Sequence, residues 1–279
     1  MNVRRRARIA ALTCLVYPAA LAYSHDMWLL PDRFVLDERE TLVVRQFVGT
    51  ELNSGEEVPL LRRMTRRFEL VTPDARIDLL AALPPERERP FIQPILSRTL
   101  DRRGPVLVAM EHYFIDTEFP RAEFLKYVQD EGLDVRPPER AGRTVERERY
   151  ARSLKSLVQV GRPAGGDLYR RVLGQQLEIV LLQNPYTLHP GDTLDVQVLF
   201  EGRPLAGRQV TALNRQGQGP VSAIRARTNA EGVARFRLGR AGLWVVRLVH
   251  MLPCTGRPEA DCEVVDWESH WASFSFQLD

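Results

Sequence analysis

The C-terminal part of the chain alternates apolar and polar positions with a period of two. Residues 193–200 place Leu, Val, Val and Phe at every second position, which is the pattern of a strand with one buried face. Further strands are predicted over 209–213, 233–238, 243–250 and 269–278, with turns containing glycine or proline between them. Short strands at this spacing favour an antiparallel β-sandwich.

The N-terminal half is also rich in strand patterns, but it is less regular. Strands are predicted over 41–48, 67–71 and 106–114. A helix is predicted between Pro120 and Gly132, because apolar residues fall on one side of that segment. The apolar residues of segment 144–158 also have helical spacing, although the last positions of the segment fit a strand equally well.

These patterns predict a mainly β protein with one or two short helices and two domains. The glycine-rich stretch 161–166 is the expected boundary. The predicted units are residues 25–165, a β-rich domain with a helical insertion, and residues 166–279, a β-sandwich domain.

The first 24 residues have the three parts of a secretory signal peptide. Four arginines precede an apolar run, and Ala22-Tyr23-Ser24 offers small residues at the cleavage site. Cleavage after Ser24 would make His25 the new N-terminus, in the periplasm. An uncleaved anchor is a weaker alternative, because the apolar run is short and Pro18 interrupts it. A lipoprotein attached through Cys14 is another.

Removing this leader changes the net charge of the protein from positive to slightly negative. The whole chain has a formal charge of +3, and residues 1–24 hold four arginines and no acid, which leaves −1. Charges of both signs are mixed through the remainder, so the sequence does not predict a nucleic-acid surface. No later apolar stretch is long enough to cross a bilayer.

Cys254 and Cys262 are the remaining cysteines, and their loop-like spacing in an oxidising compartment favours a disulfide over a redox pair.

The sequence carries no phosphate-binding glycine loop, no nucleophile elbow and no zinc-protease motif, so we expect no enzyme of those classes. The five histidines are the remaining chemical signal, and His25 is the strongest candidate ligand. A free N-terminal histidine offers an amine and an imidazole nitrogen, and Asp26 could add an oxygen. Such donors suit nickel, cobalt, copper and zinc.

His250 and His270 lie on successive predicted strands, so an antiparallel hairpin would bring both to one end of the sheet. Glu268 and Asp266 are candidate acceptors behind them. His112 has the same inward parity as the preceding valines. The alternative for all three is a structural histidine in the core, and His189 is expected to be exposed.

Several motifs together resemble a known family. They are His25-Asp-Met-Trp-Leu-Leu-Pro31, the stretches 147–155 and 173–186, and the closing segment 267–276. They resemble a bacterial family of exported proteins of unassigned function that are often labelled as periplasmic components of nickel or cobalt uptake systems. The resemblance implies an immunoglobulin-like sandwich in the C-terminal half, transition-metal handling in the periplasm, and His25 as a ligand.

Three functional hypotheses follow. The first is a periplasmic, non-enzymatic metal-binding protein that uses His25 with one or more of His112, His250 and His270. It would present the ion to a membrane or outer-membrane transporter. The second is a structural or interaction module of the cell envelope that binds no metal. The third is a copper oxidase or oxygenase built on an N-terminal histidine brace.

Overall fold

The computed structural model describes residues 26–50, 52–139, 142–162, 166–255, 262 and 264–279. The predicted leader and His25 lie outside these residues. The helix and strands of the described ranges are, in chain order, β1 Asp26–Pro31, β2 Val35–Leu36, β3 Thr41–Gly49, β4 Glu56–Val58, β5 Thr65–Val71, β6 Arg76–Asp78, β7 Leu96–Thr99, β8 Gly104–His112, β9 Ile115–Pro120, α1 Arg121–Asp130, β10 Val145–Val160, β11 Leu177–Leu181, β12 Thr193–Phe200, β13 Arg203–Pro204, β14 Gln209–Arg215, β15 Ser222–Arg227, β16 Val233–Arg237, β17 Gly242–Pro253 and β18 Trp267–Leu278.

The strands form one large sheet and two small ones. The large sheet has the order β15-β14-β17-β18-β10-β8-β5-β6, and β2 and β9 also pair with β10. One small sheet contains β1, β3, β4 and β7, and the other contains β11, β12, β13 and β16. Most pairs are antiparallel, but β10 runs parallel to β18 and to β2. The prediction of a mainly β, antiparallel sandwich is therefore confirmed.

The two small sheets cover opposite faces of the large sheet, because neighbouring residues in a strand point to opposite sides. In β8, Leu107 and Ala109 pack with the core of the β11–β12 sheet. Val106 and Val108 pack instead with the core beneath β1 and β3. We call the first side the C-terminal face and the second the N-terminal face.

The helix predicted between Pro120 and Gly132 is present as α1, and it buries Phe124 and Tyr127 against the N-terminal face. Gly132 has a φ of +61°, which ends the helix in the left-handed conformation. The predicted helix over 144–158 is wrong, since these residues belong to β10. This strand pairs with β9, β8 and β18, and these tertiary contacts outweigh the local helical spacing.

The centre of β10 holds a buried ion pair. Lys155 Nζ lies 2.5 Å from Glu178 Oε1, and both side chains are 1% exposed. The Glu178 carboxylate also accepts hydrogen bonds from the backbone amides of Leu173, Gly174 and Gln175. The pair therefore fixes the segment before β11 against the C-terminal face of the sheet.

The large sheet takes strands from both halves of the chain. β10 comes from the predicted N-terminal domain and β18 from the predicted C-terminal domain, and they pair over Glu148–Ser156 and Trp267–Ser275. The division at residues 165 and 166 remains a prediction about independent folding.

We expect Lys155→Met to lower the free energy of unfolding by about 3–5 kcal/mol, because it leaves the Glu178 carboxylate buried without its counter-charge. Urea unfolding at neutral pH measures this change. The matched control is Lys126→Met, since that lysine is 73% exposed in its pair with Asp130. The control should lose less than about 0.5 kcal/mol. If the two variants lose equal free energy of unfolding, the Lys155–Glu178 pair is not buried as described.

Candidate functional site

His250 and His270 lie directly opposite each other in the β17–β18 pair. Both point to the C-terminal face, because His250 follows the parity of Trp244 and Val246, and His270 that of Phe274. Both are almost fully buried. The predicted hairpin and the placement of these two histidines at one end of the sheet are therefore confirmed.

The two imidazoles share an aromatic neighbour at the end of β12. The ring centroid of Phe200 is 4.6 Å from that of His250 and 4.9 Å from that of His270. Phe114, just after β8, makes an edge contact with His270 at 5.4 Å. The pair thus lies in a mainly aromatic surrounding at the mouth of the sandwich.

A carboxylate holds the His270 ring. Glu268 Oε1 lies 2.9 Å from His270 Nε2, and Glu268 Oε2 accepts hydrogen bonds from Arg149 Nε at 2.9 Å and Nη2 at 2.5 Å. Burial raises the pKa of Glu268, but the hydrogen bonds from His270 and Arg149 outweigh it and lower the pKa to about 2. The carboxylate is therefore ionised, and it accepts a hydrogen bond from Nε2 of His270.

His112 lies on the other side of the sheet. It follows the parity of Val108 and Met110, which pack on the N-terminal face. Burial, aided by the positive charge of Arg152, lowers the pKa of His112 to about 3, so its imidazole is neutral. The structure does not bring His112 together with His250 and His270.

Asp26, the neighbour of His25, also belongs to the N-terminal face. Its Oδ2 lies 3.0 Å from Arg247 Nε on β17, and Arg247 also pairs with Glu131 after α1. Burial raises the pKa of Asp26 to about 7, although Arg247 lowers it. His25 itself lies outside the described residues, so its role as a ligand remains a prediction, as do the roles of His112, His250 and His270.

A second buried acid on the same face was missed by the sequence analysis. Glu148 of β10 accepts hydrogen bonds from the Tyr127 hydroxyl and from Ser269 Oγ. Burial raises the pKa of Glu148 to about 7, although these two hydrogen bonds and Arg152 lower it. The signal was the alternation of Glu146, Glu148 and Tyr150, which helical spacing obscured.

Three further predictions concern the cysteines, His189 and Asp266. The disulfide is confirmed between Cys254 and Cys262, with Cα atoms 5.4 Å apart, in the connection from β17 to β18. The side chain of His189 is 82% exposed. Asp266 is not an acceptor behind the histidines, because it accepts from the Arg147 amide and pairs with Arg143.

Within the described ranges, no group of three or more His, Cys, Asp or Glu side chains is arranged to hold a metal ion. In the described ranges, the imidazoles of His250 and His270 lie opposite each other, with the Glu268 carboxylate beside the second ring. None of the helices in the same ranges is long and apolar enough to cross a membrane.

The family model described as "Domain of unknown function (DUF4198)" matches residues 22–252. The chain belongs to the DUF4198 family. This confirms the family of unassigned function that the sequence motifs resemble. The description of DUF4198 names no metal, so nickel or cobalt handling remains a prediction for this DUF4198 protein. The matched range includes His25, His112 and His250 and ends before His270.

No curated protein matches the sequence significantly. Among solved structures, the chain is similar to the D0-D1 domain of intimin, with 12% identity, a TM-score of 0.21, and coverage of 90% of this chain and 97% of that one. It is also similar to trypsin-activated alpha-2-macroglobulin from Escherichia coli, with 9% identity, a TM-score of 0.23, and coverage of 92% and 16%. Dimeric latent PorU from Porphyromonas gingivalis matches with 10% identity, a TM-score of 0.20, and coverage of 94% and 21%. At these TM-scores we draw no functional conclusion from the likenesses.

The buried Glu148 predicts a specific dependence of stability on pH. Burial raises its pKa from 4.5 to about 7, so between these values the folded state keeps a proton that the unfolded state has released. The free energy of unfolding therefore falls as pH rises through this interval. We expect the Glu148→Gln variant to lose this part of the decrease between about pH 5 and about pH 8, as measured by urea unfolding.

Glu118→Gln is the matched control, because Glu118 is 63% exposed in its pair with Arg147. Its pH dependence should follow that of the wild type. If Glu148→Gln also follows the wild type, Glu148 does not hold a proton in the folded state at neutral pH.

Proposed function

We propose that this DUF4198 protein is an exported, non-enzymatic binding protein that holds a divalent transition metal at the His250–His270 pair. The observation that carries the proposal is the register of β17 and β18, which places the two imidazoles side by side on one face. Facing residues on neighbouring antiparallel strands have Cβ atoms about 4.5–5.5 Å apart. Metal–imidazole bonds are about 2.0–2.1 Å long for zinc, so both rings can reach one ion.

The Glu268 carboxylate supports the same proposal. Metal-binding histidines commonly donate their second ring N–H to a carboxylate, which fixes the tautomer and the ring orientation. His270 makes this contact through Nε2, and Arg149 holds the carboxylate in turn. Because Nε2 faces the carboxylate, we assign Nδ1 of His270 as the metal ligand.

Two imidazoles occupy part of a coordination shell, and the other positions fall to water or to donors beyond the described residues. A site with exchangeable ligands suits capture and release better than a closed structural site does. We therefore propose delivery to a membrane or outer-membrane transporter in the periplasm. Nickel, cobalt, copper and zinc all accept imidazole ligands, so the donor set does not choose among them.

The N-terminal site is a separate part of this proposal. Asp26 lies on the N-terminal face, whereas His250 and His270 lie on the C-terminal face. We infer that any metal bound by the amine and ring of His25 is a different ion from the one held by the pair. The two sites predict different variants to lose metal.

Isothermal titration of the mature chain with nickel, cobalt, copper and zinc salts tests the pair. We expect His250→Ala and His270→Ala each to weaken binding at least about tenfold, because one of two imidazole donors is lost. Glu268→Gln should weaken it by about 10–100-fold, since the ring loses its orienting carboxylate. His189→Ala is the control, because His189 is exposed and distant in sequence from the pair. Circular dichroism verifies that each variant is folded.

Three results separate the rival functions. If only His25→Ala removes metal binding, the proposed site at His250 and His270 is wrong, and an N-terminal site is favoured. A folded protein that binds none of the four ions would leave the envelope interaction module as the better account. Turnover with bound copper and a reductant would favour the oxidase or oxygenase with a histidine brace.

A further inference from the structure

The large sheet is interrupted on one side of β10. β8 pairs with β10 as far as Leu107 and Leu157, and β9 takes over only at Ile115 and Tyr150. Between these points the two backbones are not paired. The amide of Gln175 spans part of this gap, because its Nε2 donates to the carbonyl oxygens of Met110 and Leu154 at 3.1 and 3.4 Å.

A pocket of about 450 Å³ lies beside this gap. Its wall includes the end of β8, the start of β10, the segment before β11 and the residue after β12, and it is lined by Glu111, His112, Tyr113, Phe114, Arg149 and Gln176 among others. Its volume falls within the roughly 300–1,000 Å³ of small-molecule sites. Two aromatic rings and several polar groups in one concave site are the usual composition of such sites.

Arg66 reaches this pocket through an irregularity in β5. The register with β8 shifts between Thr65, opposite His112, and Arg67, opposite Glu111, so Arg66 is the extra residue of a bulge. Bulges change the direction in which a side chain points and are frequent beside binding sites. Arg66 also lines the pocket.

Two of the arginines near the pocket are held in salt bridges, whereas in the described part of the chain Arg66 is not. Arg67 neutralises Glu111 at 2.6 Å, and Arg149 is bound to Glu268 at 2.5 Å. Arg66 is exposed and forms none of the salt bridges found among the described residues, although its charge acts on Glu111 in the same pocket. Its exposed guanidinium is therefore available to an anion, and a planar guanidinium binds a carboxylate through two parallel hydrogen bonds.

His112 also lines the pocket, but its side chain has the parity of the N-terminal face. It is 8% exposed, and its Nδ1 is buried without a hydrogen-bond partner among the described residues. A buried polar atom of this kind costs free energy unless a ligand or water satisfies it. Tyr113 is 53% exposed at the rim, where its ring can cover the apolar body of a ligand.

We propose that this pocket binds a small organic carboxylate with an aromatic or apolar body. The carboxylate pairs with Arg66, and the ring lies against Tyr113 and Phe114. The pocket adjoins the histidine pair through Phe114 and Arg149, but the proposed ligand contacts do not require a bound metal.

Titration of the metal-free mature chain with benzoate, followed by amide chemical shifts, tests this site. Benzoate should bind saturably, and the shifts should centre on Tyr113, Ala151, Gly174 and Gln176. Arg66→Gln should weaken benzoate at least about tenfold, because it removes a charge-assisted, two-point contact. Tyr113→Ala should weaken it by a smaller factor. Arg98→Gln is the matched control, since Arg98 is exposed on β7 and away from the pocket.

Benzyl alcohol and benzylamine separate the carboxylate from the ring. Benzyl alcohol should bind more weakly than benzoate and should be insensitive to Arg66→Gln. Unchanged benzoate affinity in Arg66→Gln, tighter binding of benzylamine, shifts centred elsewhere, or no saturable benzoate binding would each overturn the proposal.

Discussion

The parallel pairing of β10 with β18 holds the two halves of the chain in one sheet. It joins strands separated by more than a hundred residues in the chain, over nine consecutive partners. Because side chains alternate along each strand, this register assigns every residue of the region to one of two faces. It places Arg149 beside Glu268 and Arg152 beside Trp271, so it separates the chemistry of His270 from that of Asp26 and His112.

Burying charged residues in the middle of a sheet requires partners for each of them. Lys155 with Glu178 and Arg149 with Glu268 meet this requirement on the C-terminal face. Arg247 meets it on the N-terminal face by pairing with Asp26 and Glu131. Such pairs contribute little net stability, but each is costly to break, so they fix positions more than they strengthen the fold. One of the fixed positions is the His270 ring.

The extent to which the sequence predicts this structure follows from how local each signal is. The hairpin of β17 and β18, α1 and the disulfide depend on nearby residues, and all were predicted. β10 was misread because beyond its first residues it is buried on both faces and has no period-two pattern, and its Tyr150, Leu154 and Leu157 match a helix. The partners of Lys155 and Arg149 lie far along the chain, so the buried pairs and the Arg66 pocket could not be predicted before the strand order was known.

Diffraction from nickel-loaded crystals of the mature chain, recorded at the nickel absorption edge, locates the bound metal. We expect an anomalous peak between the His250 and His270 rings, on the same face as Phe200, with His270 Nδ1 as a ligand. A peak on the opposite face near Asp26, with none at the pair, would contradict it.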